Sequence, residues 1–224
     1  MGYWEQKIAK MYRIVFLLLS SLIVISCDQK EVEKLPYFNT PDFTPLFIDN
    51  NAEVDVKIPH TIADFSFLNQ DSIIISQKNI EGKIHVANFI FTSCGSICPV
   101  MTNNLKIVND SLSKKSDVVL LSYSVTPWID TPSVLKAYKK RNGIQNPNWH
   151  FLNGSKSKIY DLARKSYFAE EDLGFTKDST EFLHTEHFIL VDKSKRIRGI
   201  YNGTLSFEMY QMLDDIKNLE KENN

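Results

Sequence analysis

Residues 84–99 read Ile84-His85-Val86-Ala87-Asn88-Phe89-Ile90-Phe91-Thr92-Ser93-Cys94-Gly95-Ser96-Ile97-Cys98-Pro99, and their pattern decides the fold. The stretch 84–91 is apolar at both parities and is bounded by Gly82 and Ser93, which marks a strand buried in mid-sheet rather than one with a wet face. A helix follows almost at once. Its stripe is Val100, Met101, Leu105, Val108 and Leu112 at helical spacing, and Pro99 suits a first turn, where its missing N–H costs nothing. These Met and Leu residues read as core, not as a metal box. Between strand and helix stands a Cys-x-x-x-Cys pair, at the carboxyl end of a strand, where open α/β sheets build their sites.

Working outward, residues 118–125 form a second buried strand, and Thr131-Pro132 opens a helix that runs to about Arg141 and ends at Asn142-Gly143. Residues 149–152 are short and extended, and 155–168 are helical. Residues 188–191 and 197–201 are strands joined by a charged turn, and 205–219 close the chain as a helix. Upstream, 65–68 and 73–75 flank the turn-prone Asn69-Gln70-Asp71 as a hairpin. Strands alternating with helices predict an α/β fold, a sheet covered on both faces.

The start of the chain has a different character. Lys7, Lys10 and Arg13 precede an apolar run over 14–25 that stops at Ser26-Cys27-Asp28. The run is short for a membrane span, which needs roughly 20 apolar residues, and its layout is that of a secretory signal. Val24-Ile25-Ser26-Cys27 resembles the lipobox of bacterial lipoproteins, in which Cys27 becomes the lipid-bearing first residue; an uncleaved anchor helix is the competing reading. Both place the rest of the chain outside the cytoplasm, in the cell envelope and held at a membrane. The expected organisation is a signal over 1–26, a lipid-anchored tether over 27–59 and a folded domain over 60–224. The tether is punctuated by Pro36, Pro41, Pro45 and Pro59, and Tyr37, Phe38, Phe43, Phe47 and Ile48 make part of it apolar enough to pack on the domain. With 26 Lys and Arg against 27 Asp and Glu, the chain has no nucleic-acid footprint.

With Cys27 assigned to lipid, Cys94 and Cys98 are the remaining cysteines, and a close pair in an oxidising compartment points to chemistry. At a helix start, positions four apart share a face, so both sulfurs can meet one atom, and the helix dipole favours their thiolates. Soft sulfurs suit copper(I), with zinc open on cysteines alone. A plain disulfide competes, though so small a ring would stabilise only modestly. A metal held by thiolates usually takes an imidazole as well. His85 lies inside the buried strand and reads as core, while His60 and His150 have no positional argument. His184 and His187 stand just before or at the start of the strand 188–191; if both were on it, their odd spacing would point them to opposite faces. Pattern alone leaves that choice open.

The run 91–99 resembles the CxxxCP loop of the Sco/SenC copper chaperones. Supporting stretches are Ser122-Tyr123-Ser124-Val125, then Asp130-Thr131-Pro132 before Leu135-Lys136-Ala137-Tyr138, and His184 ahead of Leu190-Val191-Asp192. The resemblance implies a thioredoxin-like fold, a central mixed sheet flanked by helices with an added N-terminal β-hairpin. It also implies copper held by Cys94, Cys98 and His184, the histidine being chosen over His187 by its distance from the following strand, and a role in loading the copper centre of cytochrome c oxidase. One departure is Thr126 before Pro127, where the family often has Asp. A thiol-disulfide oxidoreductase acting on a partner's cysteines is the alternative function, and a peroxide-reducing thioredoxin relative is disfavoured by the residues around Cys94.

Overall fold

The computed structural model describes residues 34–112, 117–169 and 185–222, with isolated positions 2, 4, 8 and 11 near the start. The signal segment, Cys27 and His184 lie outside the described residues. In chain order, β1 (Tyr37–Phe38) and β2 (Pro45–Leu46) are followed by a 3-10 turn at Asn51–Glu53, the one-turn helix α1 (Val54–Lys57), the hairpin strands β3 (Ser66–Asn69) and β4 (Ile74–Ser76), and α2 (Gln77–Ile80). Then come β5 (His85–Ile90), α3 (Ile97–Ser111), β6 (Val119–Ser124), α4 (Pro132–Arg141), β7 (Trp149–Asn153) and α5 (Lys156–Asp161), which runs into a π turn at Leu162–Ser166. The hairpin β8 (His187–Val191) and β9 (Ile197–Asn202) leads to α6 (Ser206–Glu222).

The strands make one nine-stranded mixed sheet in the order β2-β1-β9-β8-β5-β6-β7-β3-β4. β5, β6 and β7 are parallel, while β8 is antiparallel to β5. β5 is buried at every position, as its doubly apolar pattern predicts. Alternation along it feeds two cores. Ile84, Val86 and Ile90 join Met101, Leu105 and Val108 of α3 and Met209, Met212 and Ile216 of α6 on one face. Ala87 and Phe89 join Phe65, Tyr123, Ile159 and Tyr167 on the other. Because Met101, Leu105 and Val108 are fully buried, truncating the Met or the Leu to Ala would cost about 2–5 kcal/mol. That packing fixes α3, and with it the loop that carries the cysteines.

The compact unit starts at Lys34, so residues 34–59 are woven into the domain more deeply than a tether with part of it packed on the surface. β1 adds to the sheet through Phe38 opposite Ile197 of β9, and Leu35, Val54 and Ile58 are buried. Arg198 of β9 holds the carbonyl oxygens of Pro36 and Leu35 at 3.1 and 2.8 Å. Two-residue strands carry no period, which is why this segment reads as a linker from pattern alone. Among the described residues no helix is long and apolar enough to cross a membrane.

Candidate metal centre

β5 ends at Ile90, and the chain turns at Phe91, whose carbonyl accepts the Cys94 N–H at 3.2 Å. α3 begins only at Ile97, and the preceding Ser96 makes no side-chain cap. Cys94 fills that role: the backbone N–H groups of Ser96, Ile97 and Cys98 donate to its sulfur, satisfying donors that every helix start leaves without a partner. The pair therefore meets by a sulfur cap on the helix and not, as the spacing suggested, by two positions on one helical face. The side chains of Cys94 and Cys98 are hydrogen-bonded to each other, and both are free thiols.

The two sulfurs have opposite acid-base character. Burial raises the Cys94 thiol, but the helix-start N–H groups and the bond from Cys98 outweigh it, so the group ends below its ordinary value. Cys98 is buried in the α3 core, and that burial pushes its thiol up to about 12; a backbone hydrogen bond from Phe91 opposes this, and the Cys94 sulfur and Asp130 reinforce it. One sulfur is thus disposed to be a thiolate, the form that binds metal or attacks a disulfide, and the other is a proton donor to it. A hollow of about 420 Å³ opens over the pair, with Phe89, Phe91, Val125 and Thr185 among its walls.

Asp130, which the sequence offers only as part of the Asp130-Thr131-Pro132 stretch, has a structural role at the site. Its carboxylate is fully buried and accepts from the backbone N–H and hydroxyl of Thr92, the Ser124 hydroxyl at 2.7 Å and the Thr126 hydroxyl at 2.9 Å. It stitches the loop after β5 to the loop after β6, two residues from Cys94. Thr126, the departure from the expected pattern, is one of the donors to this carboxylate. The helix α4 opens at Thr131-Pro132 as expected, with the Thr131 hydroxyl accepting from the Val134 N–H.

The histidines separate clearly. His85 is buried, with Nε2 at 3.1 Å from the Tyr167 hydroxyl, and burial lowers it to about 3, so it is a core residue as expected. His60 lies with Nε2 at 2.8 Å from the Ser166 carbonyl and stacks on Phe168. His150 is at the start of β7, the far end of the sheet from the cysteines. His187 sets its ring edge-on to Phe43, which packs on the Phe65–Tyr123 core, whereas Cys94 and Cys98 belong to the α3 core on the other face. His187 thus packs on the face opposite the α3 core, the face whose Phe89 and Val125 also wall the thiol hollow. Thr185, the first described residue after His184, lines their hollow. Among the described residues no three His, Cys, Asp or Glu side chains gather as a ready metal-ligand set.

A dithiol at the carboxyl end of the central strand of a mixed, helix-covered sheet, one sulfur capping the next helix, defines a thioredoxin-like domain. The SCO1/SenC family model matches residues 56–221, and the chain belongs to that family. It is 32% identical over 176 residues to the SCO1 protein homolog of Bacillus subtilis, covering 77% of this chain and 90% of that one. Among solved structures it is similar to a SCO1/SenC family lipoprotein of Bacillus anthracis, with TM-score 0.63, 29% identity and coverage of 72% and 95%. It is likewise similar to BsSco, a Sco protein of cytochrome c oxidase assembly in which a disulfide switch was identified, with TM-score 0.62, 31% identity and coverage of 72% and 94%. Copper-bound ScoI of Arabidopsis thaliana superposes with TM-score 0.56 at 25% identity, over 71% of this chain and 98% of that one.

Proposed function

We propose that this protein is a copper metallochaperone that binds copper through Cys94, Cys98 and His184 and delivers it to the copper-containing subunit of cytochrome c oxidase. The observation that carries the reading is the Cys94 sulfur held in a cradle of helix-start N–H groups, beside Cys98 and under a hollow lined by Thr185. Two sulfurs and an imidazole are a donor set that favours copper(I), and the copper-bound Arabidopsis relative and the role in oxidase assembly given to BsSco support it. Thr185, next in sequence to His184, walls the thiol hollow and supports His184 as the imidazole. Copper is the cargo, so the useful property of the pair is exchange: the half-buried Cys94 is the sulfur that an acceptor's ligands reach first, while Cys98 stays at the floor. The signal over 1–26, with Cys27 carrying lipid, places this exchange on the outer side of a membrane, and the lipoprotein of Bacillus anthracis supports that placement.

The reading has a proton signature. Cys98 keeps its proton up to about pH 12, so copper must displace it, and metal affinity becomes pH-dependent. Anaerobic titration of the reduced chain with copper(I) is expected to show binding that strengthens by at least about tenfold per pH unit through neutrality, the contribution of the Cys98 proton alone. Binding independent of pH, or none, would contradict it.

The contrast between the two thiols also favours a second activity, thiol-disulfide exchange. The Cys94 thiolate attacks a sulfur of a partner's disulfide, and the displaced sulfur leaves as a thiolate. Cys98, giving up its proton, then attacks Cys94, which releases the partner as a dithiol and leaves Cys94 and Cys98 joined as a disulfide. The partner is reduced by two electrons and this pair is oxidised by two. Reduction of a partner disulfide with no sulfur-bound copper would make this the main function.

A further inference from the structure

The end of the sheet far from the thiols has its own character. Val191 pairs with His85, which puts the β8–β9 turn at the amino end of β5, opposite Cys94. Arg198 there bonds Asp192 at 3.2 Å and Glu222, in the last turn of α6, at 2.9 Å, and the Leu35 N–H donates to Glu222 at 3.3 Å. The domain thus begins at the thiol-distal end. Residues 28–33 lie between Cys27 and Lys34, and fully extended they span at most about 25 Å.

The same end carries a basic cavity of about 690 Å³, walled by Lys136, Lys139, Lys140 and His150 where α4 ends and β7 begins. The Lys139 ammonium donates to the carbonyls of Asn146 and Trp149 at 2.8 and 2.6 Å, which fixes that wall. Among the described residues the buried His150 Nδ1 has no hydrogen-bond partner. Burial first, then the charges of Lys139 and Lys83, lowers His150 to about 4, so its imidazole is neutral and Lys83 is close by. The described acids here include Asp71, paired with Lys136 at 2.9 Å, and Asp110 beside Asn109, which accepts from Asn146 at 2.9 Å. Next to the cavity, past the β3–β4 turn, Ile73 and Ile74 are 58% and 62% exposed. Exposed aliphatic side chains beside lysines are the composition of a surface that seats on anionic lipid.

We infer that this thiol-distal end is a membrane-facing surface whose basic cavity takes the phosphate headgroups of anionic lipids, so that Cys94 and Cys98 are presented away from the bilayer. The inference rests on the reading of Cys27 as the lipid-bearing residue: a leash that short, leaving from that end, holds the surface against the membrane.

The test uses the full lipidated chain in nanodiscs of phosphatidylcholine, alone or mixed with phosphatidylglycerol, read by amide hydrogen exchange. In the mixed discs the amides of 70–74 and 141–148 are expected to exchange about tenfold more slowly than in phosphatidylcholine alone, an effect of the size a few lysines near an anionic surface produce. Charge reversal by Lys83→Glu with Lys140→Glu removes the difference, and the loop 92–98 exchanges alike in both. No lipid-dependent slowing at 70–74 and 141–148, slowing at 92–98 instead, or an intact mass without acyl chains on Cys27 overturns the inference. Equal slowing by inorganic phosphate in phosphatidylcholine discs also overturns it, since the cavity would then be a site for free anion. Copper(I) titration in the same discs reports separately on the chaperone reading: lost copper with intact lipid-dependent slowing defeats that reading alone, and normal copper binding without slowing defeats this one alone.

Discussion

Two buried carboxylates, at opposite ends of the same sheet, are satisfied in different ways. Asp192 faces the Arg198 guanidinium, both side chains being nearly inaccessible, and also accepts from the N–H groups of Ser194 and Arg196. Asp130 is as deeply buried but is held by hydroxyls and one amide. A charge paired with a guanidinium exerts little field on its neighbours; one held by dipoles keeps its field, and Asp130 adds to the burial and the Cys94 sulfur that hold the proton on Cys98. The distal end is therefore built for fastening, joining the start of the compact unit, β9 and α6 through Arg198. The thiol end keeps a negative charge beside the sulfurs.

The contrast breaks most visibly at the distal end. Arg198→Met removes one partner of a buried ionic group, so unfolding in urea should show a loss of about 3–5 kcal/mol, while the folded fraction still binds copper as the parent does. A loss below about 1 kcal/mol would mean the network does not fasten the domain. At the thiol end, Asp130→Asn should cost about 1–3 kcal/mol, because one of its hydroxyl donors loses its acceptor. It should also let Cys98 react with an alkylating reagent at lower pH, read by mass spectrometry of the two cysteines; an unmoved Cys98 profile would remove Asp130 from the account.

In the parent chain the same alkylation should begin at Cys94 below the ordinary thiol range and reach Cys98 only in strong alkali, towards pH 12. The signs for stability differ as well. Cys94, whose value is lowered on folding, adds stability above the unfolded thiol value and loses it as pH falls through the folded one. Cys98, whose value is raised, is at its most favourable below the unfolded value, and that contribution fades as pH rises towards about 12. The smallest effect is expected for Thr126→Val, which removes one of several donors to Asp130 and should cost about 1 kcal/mol in denaturant unfolding.

How far the sequence was legible follows from what each element depends on. β5 and β6 are continuous apolar runs and α3 is a helical stripe, so burial alone reveals them, and the thiol loop between β5 and α3 is placed by default. The segment 34–59 was not legible, because β1 and β2 owe their conformation to β9 and to Arg198, residues more than a hundred positions away. The cap of α3 is not legible in the sequence, because a sulfur acting as a cap has no sequence signature. Asp130 was hidden because its donors Thr92, Ser124 and Thr126 come from two separate loops, and only the parallel register of β5 and β6, with Ile90 opposite Ser124, brings them to one carboxylate. Odd spacing would let only one of His184 and His187 face the thiols if both stood on the strand, and β8 begins at His187, so spacing does not decide between them.

The central claim is the ligand set, and it is tested most directly by X-ray absorption at the copper edge of the reduced protein loaded with copper(I), compared between the parent chain, His184→Ala and His187→Ala. The account predicts sulfur from both cysteines and an imidazole nitrogen in the parent and in His187→Ala, with the nitrogen lost in His184→Ala. Loss of the nitrogen in His187→Ala with the parent spectrum kept in His184→Ala would contradict it.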